Sequence, residues 1–216
     1  MNPISPARRV VGVVRLIAGV GLFVVIAIQI ADRVIAGHFD PAEYFSYFTI
    51  QTSLINIVVF LVGGWMALRR PSDTVLYTTV RMSTVGFALI TAGVFNLLLR
   101  NVPYVGPYEG LLWPNEVIHV VVPIIIVVDW LVSPGRPALP WRALIAAVVY
   151  PIAWIGYTLI RGSFAGYYPY PFLDPASGGW GSVVIYIVAL TGFLVGVAAM
   201  SIAYSRHRSF TRHATS

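Results

Sequence analysis

Six long apolar stretches, separated by short polar segments, dominate the pattern of residues along the chain. Each stretch approaches or exceeds the roughly 20 apolar residues that a helix needs to cross a bilayer. The connections, such as residues 69–73 and 133–137, carry proline, glycine or serine next to charged residues. The pattern predicts an all-α polytopic membrane protein, with residues 1–216 forming a single six-helix transmembrane domain. The predicted spans are residues 10–31, 47–68, 74–99, 113–132, 141–160 and 180–204.

Composition agrees with this prediction, because 58% of the residues are hydrophobic and only 10% are charged, far from the balance of a soluble domain. Cysteine is absent, which excludes disulfides, thiolate catalysis and cysteine-based metal sites. The net charge of +6 does not indicate nucleic acid binding, because the arginines cluster beside apolar stretches and not along a soluble face. We therefore expect membrane lipids as partners and no nucleic acid.

The arginines predict the orientation of the chain. All 14 basic residues are arginine, and a cytoplasmic N-terminus puts 11 of them at the inner side. The three that fall outside are Arg33, Arg100 and Arg161. The positive-inside rule therefore predicts that both termini are cytoplasmic. Arg15 lies close inside the first span, and we expect its side chain to snorkel toward the inner headgroups.

Polar residues inside the spans are the candidates for chemistry, because each must find a partner or destabilise the fold in hydrocarbon. In the second span, spacings of three and four put Thr49, then Thr52 or Ser53, and then Asn56 along one face, which we expect to point away from lipid. In the fourth span, His119 is the one histidine placed in the bilayer. If the fourth span is a regular α-helix, Asn115 and Asp129 lie on the same helix face as His119.

Thr49 and His119 are predicted to lie at similar depths. Each follows six residues after the start of an inward-running helix, at Glu43 and Trp113, and therefore lies about 9 Å below it. A histidine within hydrogen-bond reach can take the proton of a threonine hydroxyl and make it a nucleophile. Asp129 is about 15 Å along the helix from His119, too far to orient the ring.

Two other interpretations remain open at this point. Transmembrane threonines usually bond a carbonyl of the preceding turn, and a buried histidine often joins helices. From the residues alone we favour that structural interpretation. The Glu116 and His119 pair has the Glu-x-x-His spacing of a metal site, but no other span offers a carboxylate in its middle. We therefore expect neither a metal nor another cofactor.

Three segments together resemble the androgen-induced membrane protein family over nearly the whole chain. They are the start of the second span at Tyr47-Phe48-Thr49, the stretch from Asn115 to His119, and the run Gly166-Tyr167-Tyr168-Pro169-Tyr170-Pro171-Phe172-Leu173. Animal members are six-helix membrane hydrolases of fatty acid esters of hydroxy fatty acids, with a threonine nucleophile and a histidine. The short inner loops and the arginine-rich tail make this chain similar to a prokaryotic branch, located in the cell membrane.

The resemblance implies that Thr49 is the nucleophile and His119 the base of a lipid ester hydrolase. We assign substrate binding to four polar residues near them: Gln51, Ser53, Asn56 and Asn115. The alternative from another class is a non-catalytic lipid-binding protein or a transporter of small solutes, whose polar residues line a cavity. A purely structural subunit is a third possibility.

Overall fold

The computed structural model describes residues 3–103 and 108–214, with side chains up to residue 207. The tail arginines Arg208 and Arg212 therefore lie outside the described side chains. Within the described residues there is no strand, and six helices are long and apolar enough to cross a membrane. The predicted all-α fold with six transmembrane helices is confirmed. Spans 1 to 6 are Pro6–Ile35, Phe48–Arg69, Val75–Leu99, Trp113–Val132, Ala143–Ala165 and Pro175–His207.

Several helices extend beyond their apolar stretches because backbone capping, and not hydropathy, ends a helix. Span 1 begins at Pro6, since the preceding Ser5 side chain accepts a hydrogen bond from the backbone N–H of Arg8. Span 5 continues to Ala165 and ends where Gly166 adopts a left-handed conformation with φ of 64°. Span 6 lies within Pro175–Ala214, where two helices meet at a kink at Gly179, whose φ of 74° and ψ of 165° are not helical.

Two spans contain a π-helical turn, which hydrophobic periodicity does not reveal. Span 3 ends in the π turn Phe95–Leu99, and span 4 contains the π turn Val117–Val121 between two α-helical pieces. Each π turn accommodates an extra residue and shifts the faces of the helix on either side. The uniform register that placed His119 and Asp129 on one face is therefore wrong for span 4.

Spans 1 and 2 pack closely because glycines face each other across their interface. A Cβ atom on Gly64 would lie 2.8 Å from the carbonyl oxygen of Gly12, and one on Gly12 would lie 3.1 Å from that of Gly64. Small residues of this kind allow two helix backbones to approach in a membrane. Span 3 contacts spans 2, 4, 5 and 6 and therefore forms the centre of the bundle.

A buried ion cluster ties together the end of the bundle where the chain begins. Arg8 contacts Asp73 at 2.6 Å, and Arg81 contacts both Asp73 at 3.3 Å and Asp129 at 2.7 Å. Arg15 pairs with Asp129 at 2.9 Å and is only 1% exposed. The expectation that Arg15 snorkels to the headgroups was wrong, because two buried carboxylates neutralise the guanidinium inside the bundle. Asp129 is a structural partner, as its distance from His119 predicted.

Candidate functional site

The polar face of span 2 points into the bundle, as its spacing predicted. Thr49, Thr52, Ser53 and Asn56 are all at most 8% exposed. The hydroxyls of Thr52 and Ser53 donate to carbonyl oxygens of the preceding turn, at 2.9 Å from Phe48 and 2.7 Å from Thr49. These two residues therefore show the structural behaviour that is usual for transmembrane threonine and serine.

Thr49 differs from them because it lies in the first turn of its helix. A short helix, Pro41–Tyr44, precedes span 2 and is separated from it by a turn, and span 2 begins at Phe48. The depth that we derived for Thr49 by counting along one helix from Glu43 was therefore wrong. The backbone N–H groups of a first helical turn lack partners within the helix, and that of Thr49 donates to the Tyr170 hydroxyl at 3.4 Å.

Tyr170 contacts Thr49 twice, because its hydroxyl oxygen also lies 3.3 Å from Thr49 Oγ1. Burial raises the pKa of Tyr170 to about 12, so that the phenol keeps its proton at any physiological pH. A neutral phenol that accepts from a backbone N–H still has its own proton to donate. Tyr170 can therefore donate a hydrogen bond next to the threonine oxygen.

His119 is held in one orientation by two neighbours. Its Nδ1 lies 2.8 Å from the carbonyl oxygen of Asn115, and its ring stacks on Phe95 with the centroids 4.0 Å apart. Since a carbonyl only accepts, Nδ1 carries the proton, and in the neutral ring Nε2 is left with the free lone pair. His119 and Phe95 belong to the two π turns, a feature that is frequent at functional sites.

Thr49 and His119 line the same cavity of about 60 Å³. The walls come from spans 2 to 6 and from the segment between spans 5 and 6, and they are mostly apolar. Among the residues that the structure describes, no direct hydrogen bond joins the two side chains. The cavity is thus a narrow, mostly apolar site whose wall carries the hydroxyls of Thr49, Thr91, Tyr170 and Thr191 and the imidazole of His119. Other residues that line it include Val94, Pro151, Trp154, Leu173 and Leu194.

Thr91 is a cavity residue that the sequence did not single out. Its side chain is 7% exposed, and its hydroxyl has no hydrogen-bond partner in the described part of the protein. A buried hydroxyl without a partner costs roughly 1–3 kcal/mol, and a ligand oxygen in the cavity would satisfy it. Thr91 precedes Phe95 by four residues, so that both lie on one helix face. This spacing indicates a site residue only once Phe95 is known to contact His119.

The segment 166–173 folds over the cavity. The Tyr167 hydroxyl lies 2.6 Å from that of Tyr47, Tyr170 contacts Thr49, and Phe172 lines the cavity. The ring of Tyr168 packs directly against Gly162. A Cβ atom on Gly162 would lie only 2.1 Å from the Tyr168 ring, so no side chain fits at this position. The three segments that carried the family resemblance therefore meet around one cavity.

The four residues assigned to substrate binding surround the site without lining the cavity. Gln51 accepts from the Tyr150 hydroxyl and donates to the carbonyl of Phe45, both at 2.8 Å. Asn115 holds His119 through its carbonyl oxygen, and Ser53 bonds Thr49 through its hydroxyl. Asn56 is buried and its Oδ1 has no partner among the described residues. Their role in binding substrate stays a prediction.

Glu116 is engaged by a cation. Both of its carboxylate oxygens accept from Arg100, at 2.7 and 2.8 Å, on an exposed part of the surface. Within the described ranges, no group of three histidine, cysteine or acidic side chains is placed to hold a metal ion.

A scan against protein-family models, a search of curated proteins and a search of solved structures each returned no match.

Proposed function

We propose that this chain is an integral membrane hydrolase that cleaves lipid esters, with Thr49 as the nucleophile and His119 as the general base. The observation that carries the proposal is that these two residues, from different spans, line one narrow apolar cavity. The family resemblance of the segments around this cavity supports the same assignment. We further propose that the protein lies in a prokaryotic cell membrane with both termini in the cytoplasm, as the arginine distribution favours.

The proposed reaction has two halves. Nε2 of His119 accepts the proton of Thr49, directly or through one water, and Oγ1 attacks the ester carbonyl carbon. The tetrahedral intermediate collapses, the alcohol leaves with the proton from His119, and an acyl-threonine remains. A water that loses its proton to His119 then attacks the acyl carbon. As the acyl–threonine bond breaks, Thr49 Oγ1 takes this proton from His119, and the fatty acid is released.

The developing oxyanion needs hydrogen-bond donors. The hydroxyls of Thr91 and Tyr170 are suited to this role. That of Thr91 is buried and has no partner among the described residues, and that of Tyr170 lies beside Thr49 Oγ1. The N-terminal turn of span 2 adds the positive end of a helix dipole at Thr49. Of the residues assigned to substrate binding from the sequence, Gln51 donates to the carbonyl oxygen of Phe45, and Asn115 accepts from Gln29 through Oδ1.

The walls of the cavity favour hydrocarbon as the main part of the ligand. Spans 5 and 6 contribute Ile155, Ile187 and Leu190, which are only half-buried and thus belong to a thin wall toward lipid. A volume of about 60 Å³ accommodates the reacting ester group, while the remaining chain has to extend past this wall. An ester that enters laterally from the bilayer fits these constraints.

A matched pair of threonine variants tests the nucleophile. In purified protein, Thr49→Ala should abolish labelling by a fluorophosphonate probe and reduce ester hydrolysis to background. Thr52→Ala is the control, because Thr52 is buried one turn away and its hydroxyl is satisfied by its own helix. Equal labelling of the wild type and the Thr49→Ala variant would contradict the proposal.

The second candidate function is non-catalytic lipid binding. The absence of a direct hydrogen bond between Thr49 and His119 in the described residues favours it, since the dyad is not assembled without a ligand. This function predicts that a fluorescent fatty ester binds equally well to wild type and to His119→Ala, and that neither protein releases fatty acid over several hours. If the wild type releases fatty acid and the His119→Ala variant does not, the non-catalytic function is excluded.

A further inference from the structure

A second cavity of about 320 Å³ adjoins the cavity that contains Thr49. Leu99 and Phe172 line both cavities, so that these two side chains form the partition between them. We call the first the inner cavity and the second the outer cavity. Because only these two side chains are shared by both linings, a displacement of Leu99 or Phe172 would let a molecule with its ester group in the inner cavity extend its other end into the outer one.

The outer cavity is more polar than the inner one. The beginning of span 6 and the residue before it contribute Asp174, Ser177, Ser182 and Tyr186 to its lining. Of the described lining residues, Asp174 alone carries a charge, and that charge is negative. The residues 104–107 that follow Val102 in sequence are Tyr-Val-Gly-Pro and add no charge.

No arginine of this end of the bundle lines the outer cavity in the described structure. Arg100 is committed to Glu116 through two hydrogen bonds. Arg161 lies over the ring of Tyr167, with 5.3 Å between its guanidinium carbon and the ring centroid. Among the described residues that line the outer cavity, the negative charge of Asp174 therefore faces no cation. Its oxygens bond the backbone N–H of Ala176 at 2.9 Å and the Ser177 hydroxyl at 3.4 Å.

From this arrangement we propose that Asp174 selects the alcohol half of the ester, favouring uncharged hydroxylated alcohols over alcohols that bear a carboxylate. The proposal rests on the hydrolase function proposed above. A carboxylate in the outer cavity would be repelled by Asp174, whereas neutral hydroxyl groups would find donors and acceptors on Ser177, Ser182 and Tyr186. The preferred substrates are thus acyl esters of neutral alcohols, in contrast to the fatty acid esters of hydroxy fatty acids that the family resemblance implies.

A pair of substrates that differ in one charge tests the proposal. Palmitoyl 12-hydroxystearic acid carries a free carboxylate, and its methyl ester is the same molecule with that charge removed. For the wild type in nanodiscs, we expect kcat/KM to be at least about threefold higher for the methyl ester, the size expected for two like charges near a protein surface. Equal values for the two substrates, or a preference for the acid, would overturn the proposal.

Asp174→Asn assigns the effect to this residue. Asparagine keeps the ability to accept hydrogen bonds at the start of a helix, so that the variant removes the charge and retains the cap. The ratio of kcat/KM for the acid to that for the methyl ester should rise by about threefold to tenfold. Glu109→Gln is the control, because it removes one exposed negative charge of a residue that does not line the cavity, and the ratio should not change. An unchanged ratio in Asp174→Asn would overturn the proposal.

A binding assay separates this inference from the proposed hydrolase function. In the Thr49→Ala variant, both molecules compete with a fluorescent long-chain alcohol for the cavity without being hydrolysed. Stronger displacement by the methyl ester, with the difference reduced by Asp174→Asn, supports charge selection even if the wild type hydrolyses no ester. Hydrolysis by the wild type together with equal displacement by both molecules would refute charge selection and leave the hydrolase proposal intact.

Discussion

At the scale of single residues, burial changes the chemistry of Tyr170, the phenol that lies beside Thr49. It is 7% exposed and contacts both the backbone N–H and the hydroxyl of Thr49. A residue in this position acts on the orientation and charge of the threonine oxygen without forming a bond to substrate carbon. Its contribution is therefore separable from that of Thr49 and His119.

We expect Tyr170→Phe to lower kcat/KM for a lipid ester by about fivefold to tenfold, because one neutral hydrogen bond contributes roughly 1 kcal/mol. Folding should be retained, since the ring and its packing against Trp154 remain. The deficit should be the same at every pH from 6 to 9, because the pKa of Tyr170 is raised to about 12 by burial. A pH–rate profile of both proteins checks this, and a deficit that disappears above pH 8 would contradict it.

The same pKa has a consequence for stability at alkaline pH. An unfolded tyrosine loses its proton near pH 10, whereas the buried phenol keeps it to about 12. The contribution of Tyr170 is thus complete below pH 10 and is lost as the pH rises toward 12. Chemical unfolding should show that the free energy of unfolding of the wild type is lower at pH 11 than at pH 8. The same decrease should be smaller in the Tyr170→Phe variant.

At the scale of helices, the backbones of spans 1 and 2 approach each other closely at two glycines. A Cβ atom on Gly64 would lie 2.8 Å from the backbone oxygen of Gly12 and 2.7 Å from Cγ of Leu16. Because one of these neighbours is backbone, the two helices cannot accommodate a methyl group by a simple side-chain rotation. The interface therefore depends on glycine at this position.

Gly64→Ala should lower the free energy of unfolding by about 1–3 kcal/mol, the usual cost of overpacking. Gly21→Ala in span 1 is the matched control, because a Cβ there has nothing within 4 Å and alanine favours helix by up to about 1 kcal/mol. Unfolding by denaturant in detergent micelles measures both. A Gly64→Ala protein as stable as Gly21→Ala would show that the two spans separate easily.

At the scale of the whole molecule, the buried ion cluster joins parts of the chain that are distant in sequence. Asp73, in the connection before span 3, binds Arg8 at the start of span 1, and its backbone N–H donates to Gly135 between spans 4 and 5 at 2.8 Å. Three arginines share two carboxylates there. Removing one carboxylate would leave buried cations without compensation.

We expect Asp73→Asn to destabilise the protein by about 3–5 kcal/mol, because breaking a buried ion pair strands its partner. High salt should not reproduce this loss, since buried charges are screened little. Asp40→Asn is the control, because Asp40 is an exposed cap of a short helix and asparagine caps equally well. Thermal unfolding at low and high salt compares the variants, and equal stability of both would contradict the structural role of the cluster.

The proposed orientation makes a prediction for intact cells, and the absence of cysteine from the chain makes it simple to test. Ser72→Cys and Glu109→Cys each introduce one exposed thiol at opposite ends of the bundle. A membrane-impermeant maleimide should label Glu109→Cys in intact cells and Ser72→Cys only after permeabilisation. The reverse result would invert the topology.

The family resemblance and the depth argument reached the same two residues by different routes, but the depth argument rested on a wrong assumption about the helix. It assumed one continuous helix from Glu43 to Thr49, whereas a turn separates the short helix from span 2. Thr49 lines the cavity because it begins a helix beneath Tyr170, and a turn of this kind leaves no periodic signal. Periodicity identified the inward face of span 2 but not the position of its first turn.

The sequence by itself determined the six spans and the inward polar face of span 2. These properties follow from local hydropathy and helical periodicity, which act on neighbouring residues. Only the tertiary structure decided that Arg15 is neutralised in the interior, that Thr91 has an unpartnered hydroxyl in the cavity, and that two π turns bring Phe95 onto His119. Each of these features depends on contacts between residues of different spans. The energies of such contacts cannot be read from a single stretch of sequence.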